Sequence, residues 1–196
     1  MKNHVGPGVG IASVLRRYHV GARRTLRLAF VYAGLALIAA CAPTPEPGFR
    51  DASVPITATT RFTPERFAGD WHVVAAYPSA FLPGCVDQRW QAETTEPAPR
   101  LAVFCGAGPA AYDAPMAVDP RGVMQLQSAD LDTTPRALWV MWMDEDAQTA
   151  VIGTPSGEMG WILNRTRGLR ADRLKAAREI MAFNGYDISR LQEGIK

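Results

Sequence analysis

Phe62-Thr63-Pro64-Glu65-Arg66-Phe67-Ala68-Gly69-Asp70-Trp71-His72-Val73-Val74-Ala75-Ala76-Tyr77-Pro78 is the stretch on which the fold turns. Pro64 suits the first position of a short helical turn, where a missing N–H costs nothing, and Thr63 stands where a capping hydroxyl is needed. Gly69 ends the turn, because it tolerates the positive φ of a chain reversal. From Trp71 onward the residues are β-branched, small or aromatic, which predicts a strand.

Downstream of this stretch the chain is a series of short β-prone runs separated by turn signals. Trp71 to Tyr77 is followed by Gln88 to Thr94, Leu101 to Cys105, a weaker run from Ala114 to Val118, and Val123 to Gln127. Arg136 to Met143, Thr149 to Gly153 and Met159 to Asn164 complete the set. Pro97 and Pro99, Gly106-Ala107-Gly108-Pro109, Asp119-Pro120-Arg121-Gly122 and Pro155-Ser156-Gly157-Glu158 supply turn chemistry between them. Eight runs with hairpin-like links predict an all-β antiparallel barrel or sandwich. After Arg165 the period changes. Asp172 to Asn184 places Leu174, Ala177, Ile180 and Met181 on one helical face, and Asn184-Gly185 is a stop signal. Tyr186-Asp187-Ile188 is expected to add a short last strand.

Upstream, residues 1–40 hold Lys2, Arg16, Arg17, Arg23, Arg24 and Arg27 and no acidic residue. The apolar run Leu28 to Ala40 then ends at Cys41. This is the layout of an export signal, and the run is shorter than the roughly 20 residues of a membrane-spanning helix. Ile38-Ala39-Ala40-Cys41 resembles a bacterial lipobox, which makes Cys41 the expected site of lipid attachment. Residues 42–60, with Pro43, Pro45, Pro47 and Pro55, are expected to be a flexible tether. The expected division is a signal over 1–40, a lipidated tether over 41–60 and one domain over 61–196.

Removing the first 40 residues changes the electrostatics. Six of the 21 basic residues leave with them, so 15 remain against 19 acidic ones, a net charge of −4 in place of +2. Nothing basic remains to neutralise phosphates, so nucleic acid is excluded as a partner. With Cys41 lipidated, only Cys85 and Cys105 are left to pair. In an oxidising compartment a disulfide is expected, the alternative being two separate buried thiols.

The opening turn with Gly69-x-Trp71 has a distant counterpart in Gly160-Trp161-Ile162-Leu163-Asn164-Arg165-Thr166. Together with Phe81-x-x-Gly84-Cys85, the ending Asn184 to Leu191 and the lipobox, these motifs resemble those of the bacterial outer-membrane lipocalins, relatives of apolipoprotein D. The resemblance spans residues 62–191. It implies an eight-stranded up-and-down barrel with a C-terminal helix. It also implies structural roles for Gly69, Trp71 and Arg165, the arginine lying across the indole at the base of the barrel. Departures are His72 after the tryptophan, an absent third-strand asparagine and a bulky Trp90 where the family has a small residue.

Catalytic constellations are scarce. His4 and His19 fall in the signal, so His72 stands alone in the domain, with no multi-histidine metal site or triad. Asp144-Glu145-Asp146 reads as a solvated hairpin turn. No catalytic residue, metal or cofactor is expected, and the protein is expected not to be an enzyme. The resemblance instead implies a fatty acid or lysophospholipid held in the barrel, for transport, storage or envelope maintenance. Candidate wall residues are Trp90, Ala92, Val103, Trp139 and Met141. The implied setting is the periplasmic face of the outer membrane, as a monomer or weak dimer. The main alternative is an envelope interaction module whose barrel is filled by its own side chains, with an enzyme on the same fold a distant third.

Overall fold

The computed structural model describes residues 48–94, 97–127 and 135–194. Cys41, the expected export signal and the first part of the expected tether lie outside the described residues.

The opening stretch folds as its residues dictate. A single-turn helix, α1 (Pro64–Phe67), has Pro64 at its start and the Thr63 hydroxyl accepting from the Arg66 N–H. Gly69 takes φ +96° and leads into β1 (Gly69–Ala76). The chain continues as β2 (Gln88–Glu93), β3 (Arg100–Cys105), β4 (Ala110–Asp119), β5 (Val123–Leu126), β6 (Ala137–Met143), β7 (Thr149–Gly153) and β8 (Gly160–Asn164). Each strand pairs antiparallel with the next, and β1 pairs with both β8 and β2, which closes the barrel. Helix α2 (Ala171–Phe183) packs outside β6 and β7 through Ala177 and Met181, with Leu174 and Ile180 at its margin. A 3₁₀ turn (Ile188–Arg190) and a two-residue β9 (Gln192–Glu193) on β1 follow. The final strand expected at 186–188 therefore lies at 192–193, while Tyr186 makes a single bridge to Arg50.

β4 is ten residues long, twice the expected run. Its first half, Ala110-Ala111-Tyr112-Asp113, pairs with β3 although its small residues carry little β signal.

Three register shifts, in β1 between Val73 and Ala75, between β3 and β4 at Val103/Phe104, and in β6 between Val140 and Trp142, decide which residues face inward. A bulge inserts one residue and reverses the alternation beyond it. In β6, Leu138 and Val140 face the interior, Trp139, Met141 and Trp142 face outward, and Met143 returns inside. The expected wall residues Trp139 and Met141 are thus on the outer face. Strict alternation would put Met143 on the same face as Trp139 and Met141, and the extra residue breaks it.

The two ends of the barrel differ. At one end Phe62 and Phe67 plug the interior beneath Trp71. At the other, the β1–β2 loop folds Phe81 and Leu82 over the mouth. From Gly48 the chain is not a free tether. Phe49 N–H donates to Gly157 O, Asp51 N–H to Gly185 O and Thr59 N–H to Val140 O. Arg50 is buried, with Nε on Asn184 O at 2.9 Å, Nη1 on Pro155 O at 2.6 Å and Nη2 on Val54 O. Thr57 N–H and Oγ1 both donate to the Asn184 side-chain oxygen. This strap descends from the mouth rim to the closed end. It corrects the expected boundary at residue 60: prolines ruled out regular structure, but Arg50 and Phe49 still fasten the chain.

Candidate functional site: the barrel interior and its mouth

Interior positions of the strands build a continuous apolar column. Trp71 and Val73 come from β1, Trp90 and Ala92 from β2, Leu101 and Val103 from β3, and Met124, Leu138, Val140, Ile152 and Leu163 from the strands beyond. Trp90, Leu101, Val103, Met124 and Ile152 have no accessible surface at all, so no water-sized space adjoins them. Trp90 meets Trp161 edge-on at 5.2 Å, Trp161 meets Phe81 at 6.3 Å, and Phe81 meets Tyr112 at 5.2 Å. Edge-to-face packing of this kind fixes ring orientation as well as burying area.

Within this column the Trp90 Nε1–H, fully buried, has no acceptor among the described residues. A buried donor left unpaired costs about 1–3 kcal/mol. It is a directed polar group in an otherwise apolar, close-packed column. The opposite case is Trp71, whose Nε1–H donates to Phe67 O at 2.8 Å. Trp71 is a finished structural contact; Trp90 is not.

Under the β1–β2 loop lies a cleft of about 290 Å³, with Phe81, Leu82 and Trp161 among its apolar walls and Ser79, Gln88 and Gln192 among its polar ones. Its size is at the lower edge of small-molecule sites, roughly 300–1,000 Å³. Trp161 stands between this cleft and Trp90. The Cys85–Cys105 disulfide, with Cα atoms 5.1 Å apart, ties the loop to the end of β3. This is the pairing expected from the cysteine count.

Of the candidate wall residues, Trp90, Ala92 and Val103 are brought together inside. Trp139 lines a groove of about 540 Å³ on the outer surface, between the strap at Thr59 and the β4–β5 turn at Asp119 and Arg121. Met141 lies between β6 and helix α2, its sulfur filling the space above Gly153. Phe81, Tyr112 and Trp161 belong to the mouth and were not singled out as wall residues. Trp161 carried the signal: it lies two residues before Leu163, on the same face of β8.

At the closed end the Arg165 guanidinium stacks 3.6 Å from the Trp71 ring centre. Its Nη1 donates to Asp70 O at 2.9 Å, Nη2 to Arg66 O at 2.8 Å and Nε to Ala147 O at 3.2 Å. Burial pulls its pKa below the ordinary arginine value. On the helix side Tyr77 and Tyr186 stack at 5.3 Å, and burial raises both phenols above their ordinary pKa, with Tyr77 raised further by Tyr186 and Asp187.

Residues 63–195 match the model of the lipocalin-like domain. The chain is a lipocalin. It is 30% identical over 147 residues to temperature-induced lipocalin-1 of Arabidopsis thaliana, a match covering 66% of this chain and 76% of the plant protein. Among solved structures it resembles insecticyanin from the tobacco hornworm Manduca sexta, with a TM-score of 0.57 at 15% identity, covering 76% of this chain and 86% of that one. Lipocalins in general bind and carry small hydrophobic molecules and are not enzymes. Among the described residues no three His, Cys, Asp or Glu side chains are grouped to hold a metal ion, and no helix is long and apolar enough to cross a membrane.

Proposed function

We propose that this lipocalin binds a single-chain amphiphile, a fatty acid or lysophospholipid, through the mouth cleft, with its acceptor oxygen directed to Trp90 Nε1. The unpaired, fully buried indole N–H carries this reading. A hydrocarbon chain satisfies the apolar walls, and only a ligand with a carbonyl or carboxylate also satisfies the donor. Because Trp161 separates the cleft from Trp90, entry requires its indole to turn aside, helped by the β1–β2 loop. The protein is further proposed to be a bacterial lipoprotein, exported by its first 40 residues and acylated at Cys41. It would be held on the periplasmic face of the outer membrane as a monomer or weak dimer.

Titration of the full chain with palmitate and with lysophosphatidylcholine, followed by tryptophan fluorescence, tests the binding. Saturable quenching is expected. Trp90→Phe keeps an aromatic side chain, though a smaller one, and removes the N–H, and should weaken palmitate about tenfold, the equivalent of about 1.4 kcal/mol. No saturable signal with either ligand refutes the proposal. It would favour the second reading, an interaction module with a plugged barrel, for which the zero accessibility of Trp90, Leu101 and Val103 is the specific support.

A further inference from the structure

The strap fixes where the chain leaves the folded domain. Phe49 N–H is bonded to Gly157 in the β7–β8 hairpin, and the Phe49 ring stacks on Tyr77 at 4.8 Å, at the end of β1 beside the mouth. Between Cys41 and Gly48 stand only residues 42–47. Seven Cα steps span at most about 25 Å even when fully extended, about the length of the eight-residue β1 itself.

The two ends also differ chemically. From Ala75 to Val86 and from Gly106 to Tyr112 no residue is charged. These segments carry the two loops joined by the disulfide, and Val86 there is 51% exposed. Glu158, Asp187 and Arg190 lie on the opposite side of the mouth, around the strap. The closed end presents exposed Arg61, Glu65, Arg121, Glu145 and Asp146, groups that lose hydration if pressed against a bilayer.

Resting on the reading that Cys41 is acylated, we infer that the short leash and the uncharged part of the lip formed by 75–86 and 106–112 together turn the barrel's mouth toward the lipid bilayer. Val86 and Ala107 then lie at the headgroup level, and the charged closed end points away. The cleft under the β1–β2 loop opens onto the membrane, so a single-chain amphiphile passes between bilayer and cleft without crossing water.

The test uses the full chain made in a bacterial host, with the photo-cross-linking residue p-benzoylphenylalanine placed singly at Val86, Ala107, Arg121 or Glu145. After irradiation, mass spectrometry of the peptides reads phospholipid adducts, and the N-terminal peptide reads acylation of Cys41. Adduct yields at Val86 and Ala107 at least tenfold above those at Arg121 and Glu145 are expected. Equal yields, or a closed-end excess, on acylated protein overturn the orientation and leave the anchoring intact. An unacylated Cys41 overturns the anchoring and the orientation with it. Inserting 20 Gly/Ser residues between Pro47 and Gly48 relaxes the leash and should lower the tenfold preference. An unchanged preference overturns the leash as the orienting device.

Discussion

Arg165→Ala probes the closed end of the barrel, and its cost can be worked from the contacts. Three hydrogen bonds to main-chain carbonyls are lost, each worth about 1 kcal/mol net. The stacked guanidinium over Trp71 contributes about 0.5–2 kcal/mol more. Keeping a charge partly out of water, visible in the lowered Arg165 pKa, offsets some of this. The balance is a loss of about 3–4 kcal/mol, or roughly 10 °C in Tm for a domain of this size. Urea unfolding followed by tryptophan fluorescence should show the midpoint falling with an unchanged slope, since the same surface is exposed. Arg165→Lys should recover little, because one ammonium cannot bond three carbonyls on separate segments or lie flat on an indole. Arg167→Ala is the control. That arginine pairs with Asp87 at the exposed surface, and its loss should cost less than about 0.5 kcal/mol. If Arg165→Ala were as mild as Arg167→Ala, the account of the closed end would be wrong.

Other perturbations separate the remaining parts. Trp90→Ala should cost about 3–5 kcal/mol and open an apolar void, measurable as new binding of a small aromatic probe. Trp139→Ala, outside the barrel, should leave palmitate affinity unchanged, and a loss of affinity would return Trp139 to the wall. Tyr77 and Tyr186 keep their protons to higher pH when folded than when unfolded. Their contribution to stability is therefore complete below the ordinary phenol pKa of about 10 and lost as pH rises toward the folded values. The urea midpoint should hold from pH 7 to 9 and fall above 10, and a constant midpoint to pH 12 would contradict this. Arg50→Ala should speed amide exchange at Asp51, Thr57 and Thr59 at least tenfold while the barrel strands keep their protection. Unchanged exchange would mean that Arg50 does not hold the strap.

Much of this architecture is legible in the residues. Gly69-x-Trp71 and Arg165 announced the closed end through their resemblance to the lipocalin motifs, and the stacked guanidinium bears that out. The disulfide followed from counting cysteines, and the helix face from a 3.6-residue period. The interior was legible on β2 and β3, where Trp90, Ala92, Leu101 and Val103 alternate without interruption. It was not legible on β6. There both faces are apolar, so polarity gives no sign of the bulge that keeps Met141 outside and returns Met143 to the core. The strap escaped notice for a related reason. Prolines report the absence of hydrogen-bonded ladders, yet Arg50 fastens the chain through side-chain bonds to carbonyls that are remote in sequence. The mouth cleft depends on how the loop from Pro78 to Asp87 folds back, which no periodicity encodes.

Gly153 and Gly160 face each other across β7 and β8, and neither needs an unusual backbone. They matter as an absence of atoms. A Cβ on Gly153 would come within 2.7 Å of Tyr186 Oη, and one on Gly160 within 3.1 Å of the same ring. The hydroxyl uses that access to take a hydrogen bond from Thr154 N–H and give one to Met159 O, stitching the β7–β8 hairpin to the chain beyond helix α2. The bare patch and the ring therefore form a lock and key within one chain, and neither half is selectable alone. In a double-mutant cycle, Gly160→Ala should be costly beside Tyr186 and cheaper beside Tyr186→Ala, the remaining cost coming from the Tyr77 ring 3.2 Å from the new Cβ, and additive costs would dissolve the pair. The consequence is evolutionary: a drifting relative that abandons this seal one change at a time loses the ring before the glycines, because a side chain at either glycine is crowded while Tyr186 remains.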